Sequence, residues 1–161
     1  MAFLNSLDIG FSALSAERLR MDVISQNIAN QDSYNTATGD PYCRQLTKFR
    51  TKITFADIMN RYTAERESVH RRGVYYRKDR SNYTYAGVEV ADVVNDTAPF
   101  VPVYDPDNPL ADENGYIYQT NVDNTKEQID LLAAQRSYEA NASAISVIKS
   151  MLSKAQELNG K

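Results

Sequence analysis

Residues 125–158 read TKEQIDLLAAQRSYEANASAISVIKSMLSKAQEL, a run without glycine or proline. Leu131, Ala134, Tyr138, Asn141, Ile145, Ile148, Leu152 and Ala155 recur in it at alternating steps of four and three, and seven of these eight are apolar or aromatic. Four heptads of such a seam predict a coiled-coil-like helix. Thr125 with Gln128 three residues on has the form of a capping box, and Gly160 stands where a terminal glycine belongs. At about 1.5 Å per residue the helix is roughly 50 Å long. A compact domain of this size has a radius of gyration of only about 15 Å. Such a helix either protrudes or buries its seam against another chain.

Residues 3–29 carry a second seam: Leu4, Leu7, Phe11, Leu14, Arg18, Met21, Ser25 and Ile28. Asn5 and Asp8 form a candidate N-cap pair, and Asn27-Ile28-Ala29-Asn30 a candidate stop. Gly10 lowers the helix propensity by up to about 1 kcal/mol against alanine. Two long amphipathic helices thus flank a different middle. Both seams are narrow and rich in Ala, Ser and Asn. Isolated helices of this kind are marginal. They either fold onto each other as a hairpin or wait for neighbours, and Asn141 within the seam is suited to setting register.

The predicted fold class is α+β. Residues 1–30 and 120–161 form a helical assembly domain from both termini, 31–44 a connecting loop, and 45–119 a small β-rich middle domain. The loop NQDSYNTATGDPYCR is built of turn formers. Residues 45–62 begin with strand-like alternation at Leu46, Phe49, Ile53 and Phe55. Residues 84–104 are the clearest strand region, with Val88, Val90 and Val94 near period two and then Phe100, Val101, Val103 and Tyr104.

Between them, residues 64–83 hold Arg66, Arg71, Arg72, Arg77, Lys78 and Arg80 among Tyr75, Tyr76 and Tyr83. Bases interleaved with aromatics can bind single-stranded nucleic acid. Glu65, Glu67 and Asp79 are dispersed among them, so a solvated hairpin turning near Gly73 is the preferred reading. Asp105, Asp107, Asp112, Glu113 and Asn114 before Gly115 resemble half a calcium loop. Six residues after Gly115 stands Asn121 instead of the required glutamate, and a rigid turn is the better reading.

The chain has 161 residues, a net charge of −3 and one cysteine, Cys43, so no internal disulfide is possible. No stretch reaches the roughly 20 apolar residues of a membrane-spanning helix. The first residues lack the basic n-region and cleavage site of a secretory signal. His70 has no Cys or His at ligand spacing, and no nucleophile elbow or phosphate-binding glycine loop is present. No cofactor, metal or catalytic residue is expected.

The runs ERLRMDVISQNIANQDS and GDPYCRQ, then GVEVADVVND, APFVPVYDPDNPLADENGYIY, TNVD and LLAAQRSYEANASAISVIKSM, together resemble the flagellar rod and hook axial proteins of bacteria, and among them the proximal rod subunits. The resemblance covers residues 3–43 and 86–155. It rests on Arg20, Met21, Asn27, Ile28, Ala29 and Asn30; on Pro109, Ala111, Asp112, Glu113, Asn114, Gly115 and Tyr116; and on Arg136, Tyr138, Glu139, Ala140 and Asn141. QDSYNT and Leu110 depart from the family pattern. Residues 44–85 match weakly and form a longer middle than is usual there.

The resemblance implies a structural, non-enzymatic subunit whose terminal helices stack into a hollow helical drive shaft. It also implies type III export without a cleaved signal, and a place in the periplasmic rod of the basal body. The implied partners are copies of itself, other rod proteins and components near the export gate and MS ring, with no nucleic acid and no membrane insertion. The expected assembly interface is Leu4, Leu7, Phe11, Leu14, Met21 and Ile28 against Leu131, Ala134, Tyr138, Asn141, Ile145, Ile148 and Leu152, within one subunit or between neighbours. A distal rod or hook subunit and a soluble RNA-binding module are the alternatives.

Overall fold

A computed structural model describes residues 2–33, 40–53, 58–59 and 86–159. The basic stretch 64–83 with its predicted turn at Gly73, Phe55 and Gly160 lie outside these residues. Helix α1 spans Ala2–Ala29 and helix α2 spans Asn124–Asn159. Among the described residues four strands lie between them: β1 Gln45–Thr51, β2 Val88–Asn95, β3 Val101–Tyr104 and β4 Tyr116–Gln119. The expected α+β class, with long terminal helices and antiparallel strands between, is what forms.

The two helices meet within one chain. Asn27 of α1 bonds Glu127 of α2, and Gly10 faces Ile145. Eighteen residues of one helix therefore run against nineteen of the other, in antiparallel step, over about 26 Å. Of the two arrangements open to the sequence, the hairpin is the one adopted by the chain. Small residues let the axes approach: a Cβ on Gly10 would stand 2.7 Å from Ile145 Cγ1, and Ala16 and Ala134 are buried.

The α2 seam lies where its spacing put it as far as Leu152, since Leu131, Ala134, Tyr138, Asn141, Ile145, Ile148 and Leu152 are all buried or half-buried, while Ala155 beyond them is exposed. The α1 seam does not. Leu7, Leu14, Met21 and Ile28 are half-buried, but Phe11, Arg18 and Ser25 are exposed, Phe11 at 55%. Leu4 lies within α1, outside the residues whose side chains are described. The reason is that α1 has two neighbours. One face meets α2, while Ser12, Val23 and Asn27 turn toward the β1–β2 ribbon. A helix sandwiched between two elements needs a wider protected band than a two-helix seam.

Both predicted N-caps are corrected. Helix α1 already includes Ala2, which leaves Asn5 inside it. Helix α2 is capped by Asp123, not by a Thr125–Gln128 box. The Asp123 carboxylate accepts the N–H of Thr125 at 2.9 Å and of Lys126 at 3.4 Å, as an N-cap acid does for the unpaired amides of the first turn.

Among the described residues the strands form two separate two-stranded ribbons. β1 pairs with β2 from Gln45↔Asn95 to Thr51↔Val88, with a bulge where Lys48 faces Asp92 and Phe49 faces Val90. The bulge breaks the period-two pattern of the valines. This ribbon lies along α1, its start at Asn27 and its end at Ser12, whose Oγ accepts the N–H of Val88 at 3.1 Å. Fifteen helical residues and seven strand residues both cover about 23 Å, so the two run in step. Gly87 has φ +111°, and a Cβ there would collide with Ser12 Oγ. β3 pairs with β4 from Val101↔Gln119 to Tyr104↔Tyr116. Among the described residues only Ala16, Val23, Ile24, Ile117 and Ala134 form a buried apolar core. That is a small core for the residues described, and large apolar side chains such as Phe11, Ile129 and Leu158 lie exposed among them.

Candidate functional site: a buried junction and an open helix face

Both helices, the start of β1 and the end of β2 converge on a polar junction. Asn27 is 1% exposed and uses its whole hydrogen-bonding capacity. Its Nδ2 donates to Glu127 Oε2 and to the Gln45 carbonyl, both at 2.9 Å. Its Oδ1 accepts the Gln45 N–H at 2.9 Å and the Tyr42 hydroxyl at 3.0 Å. Glu127 is fully buried, and its other oxygen accepts Arg44 Nε at 2.6 Å. The Arg44 guanidinium also donates to Asp96 and Asp130, each at 3.2 Å. Asn121 accepts the Arg44 N–H at 2.7 Å and donates to the Ala98 carbonyl at 2.9 Å.

One cation thus meets three carboxylates. Asp96 and Asp130 have side chains 22% and 35% exposed, so water carries the surplus negative charge, whereas the Arg44–Glu127 pair is dry. Burial works against the charge on Arg44, but the bond and charge of Glu127, then of Asp96, hold its pKa above the ordinary value. Burial, with Cys43 and Glu127 nearby, raises the Tyr42 hydroxyl. Asp96 is held below its ordinary 3.8 by the Ala98 N–H first and Arg44 second. Folded Asp96 therefore binds protons less readily than unfolded Asp96. Its stabilisation is present above pH 3.8 and disappears as pH falls through its lower folded value. Melting scans should show the wild type losing stability below pH 3.8 more steeply than Asp96→Asn, which starts lower at neutral pH. Parallel acid limbs for the two proteins would remove Asp96 from the junction's account.

The family-motif residues divide between structural tasks. Asn27 builds the junction. Asn30 closes α1, with both its N–H and its Nδ2 donating to the Gln26 carbonyl. Arg20 pairs loosely with Glu17 at 3.8 Å, Met21 and Ile28 are half-buried, and Ala29 is exposed. In the β3–β4 connector the Asp112 carboxylate accepts the N–H groups of Asn114 at 2.9 Å and Tyr116 at 3.0 Å. Gly115 sits at φ +79° with Tyr104 and Pro106 against its missing Cβ. This is a turn whose acid serves its own backbone. Ala111 is half-buried there, while Pro109, Glu113, Asn114 and Tyr116 are exposed. On α2, Tyr138 and Asn141 face α1, while Arg136, Glu139 and Ala140 face outward.

Helix α2 has a second apolar stripe. Ile129, Leu132, Val147, Met151 and Leu158 are all at least half exposed. With Arg136, Ala140, Ser143 and Lys154 they recur at steps of three and four on the face opposite the α1 seam. Sequence reading passed over this stripe because polar positions interrupt it. It also passed over Arg44, Glu127, Asp96 and Asp130. A signal for Glu127 was available: it is the seam position four residues before Leu131, and a charge in a seam needs a partner.

An assembly subunit is the class that such a helix pair suits, closed on one face by itself and open on another. The chain matches the family model for flagella basal body rod proteins over residues 7–35, and the model for the C-terminal region of flagellar basal body rod FlgEFG proteins over residues 113–158. It is 36% identical over 163 aligned positions to the flagellar basal-body rod protein FlgC of Bacillus subtilis (strain 168), covering 98% of this chain and 99% of that one. Its identity to the FlgC proteins of Salmonella typhimurium and Escherichia coli O6:H1 is 35% and 34%, covering 98% of each chain. The chain belongs to the FlgC family of flagellar basal-body rod proteins, and as such is a structural rod subunit and not an enzyme.

Proposed function

We propose that the chain forms part of the proximal rod in the periplasm, reaches it without a cleaved signal, and packs with copies of itself and with other rod proteins into the wall of a hollow, torque-bearing shaft. The observation that carries this is the two-faced α2: its inner seam is occupied by α1, and its outer stripe offers Leu132, Val147 and Met151 to a neighbour. Repeating one contact between different faces produces an open helical series. The expected interface of Leu7, Phe11, Leu14, Met21 and Ile28 with Leu131, Ala134, Tyr138, Asn141, Ile145, Ile148 and Leu152 then has two parts, a pairing within the subunit and side chains such as Phe11 that point outward. Leu4 belongs to the same proposal. The components near the export gate and MS ring are the proposed neighbours at the base.

Leu14→Asp or Ile148→Asp puts a charge between the helices. Basal bodies purified from cells carrying either variant should lack the chain, and the cells should not swim. An intact rod containing either variant would sink the proposal.

A further inference from the structure

The β3–β4 ribbon has one covered and one bare face. Ile117 is buried, while Tyr104, Tyr116 and Tyr118 are exposed on the other side, Tyr104 at 65%. Tyr104 and Tyr116 meet edge to face, 5.3 Å between centroids, as a rigid aromatic platform. The connector beside it, residues 105–113, holds four acids and no base. Asp107 and Glu113 are exposed there. The opposite charge exists elsewhere in the chain, in residues 66–83, where six bases outnumber two acids. The two stretches therefore carry −4 and +4.

We propose that the tyrosine platform and its acidic connector dock residues 66–83 of a second copy of this chain, with guanidinium groups stacking on the tyrosines and pairing with Asp107 and Glu113. This rests on the rod reading and names one contact within it. Three observations choose the occupant. Charge and aromatic content are complementary, which sets partner and register more than bulk affinity. The chain enters and leaves residues 54–85 at the ribbon end beside Ser12. The β3–β4 ribbon that carries the platform is anchored at the other end, where Thr120, just past β4, bonds Gln31 and Asn121 bonds Ala98. These two anchor points are about 23 Å apart along the β1–β2 ribbon, so a neighbour displaced along the helix axis brings the described ends that flank residues 54–85 of one copy, Ile53 and Ala86, nearer the β3–β4 ribbon of the next.

The test uses full-length chains. One population carries Tyr118→p-benzoylphenylalanine and the other is isotopically heavy; they are mixed, irradiated and mapped by mass spectrometry. Light-to-heavy adducts at residues 66–83 are expected. Asp107→Lys with Glu113→Lys should reduce them roughly tenfold at low salt, and Arg71→Glu with Arg72→Glu in the other copy should restore them. Adducts confined to one copy, adducts elsewhere, or yields indifferent to both charge reversals overturn the inference. A chain that enters rods without such adducts removes this contact and leaves the rod reading standing. Purified proximal rods that lack the wild-type chain remove that reading itself.

Discussion

Glu127→Ala should lower the stability of the folded chain by about 3–5 kcal/mol, the usual result of stripping one partner from a buried ion pair. The substitution leaves Arg44 Nε without its carboxylate in a side chain only 7% exposed, and leaves Asn27 Nδ2 with one acceptor in place of two. Domains have about 5–15 kcal/mol in all, so the effect is a large share of the total. Glu127→Gln keeps the shape and one acceptor oxygen but turns an amide N–H₂ toward a donor, and should cost less, about 1–3 kcal/mol. Arg44→Met and Glu127→Met combined should cost clearly less than their sum, since neither charge is then orphaned. Denaturant midpoints of the wild type and these five variants decide it. Equal losses for the Ala and Gln variants, or additivity in the double, would mean that the junction is no coupled pair.

The second large effect is on assembly and not on stability. Val147→Asp with Met151→Asp places two charges on the open stripe of α2, where both residues are at least half exposed. The melting transition should move by no more than about 0.5 kcal/mol equivalent, as for ordinary surface changes. Incorporation into basal bodies should fail, because a contact that must exclude water would bury two unpaired carboxylates. Gln135→Asp, exposed between the two stripes, serves as the control and should assemble. Normal swimming with the double variant would show that this face meets no neighbour.

The legible parts of this fold are those with a period. The α2 seam could be read residue by residue because one neighbour covers one face, and the valines of β2 marked a strand. The α1 seam misled because α1 serves two partners, so positions such as Val23 and Asn27 are buried on the ribbon side while Phe11 is left 55% exposed among the described residues. Capping failed for a local reason: Asp123 lies one residue before the helix and outcompetes Thr125 as acceptor for the first-turn amides. The junction was hidden by distance along the chain. Arg44 and Glu127 are 83 residues apart and Asn27 and Glu127 are 100 apart, and no spacing rule connects them. The recognisable motifs named Asn27 without saying what it does. The structure shows it filling four hydrogen-bonding valences at one point.

That separation has a consequence in time. Any chain that emerges N-terminus first presents Asn27, Tyr42 and Arg44 long before residue 127 exists to meet them. Until then Arg44 has only Asp96 among its three acidic partners once β2 has arrived, and the α1 face that will meet α2 has nothing to pair with. Closing a loop of this length also carries its entropic cost before any contact repays it. The last element to appear is therefore the one that locks the first. A subunit cut short before residue 127 has its ribbons in outline but no key for the joint, so an incomplete copy is distinguishable from a finished one by whether its two ends can be held together.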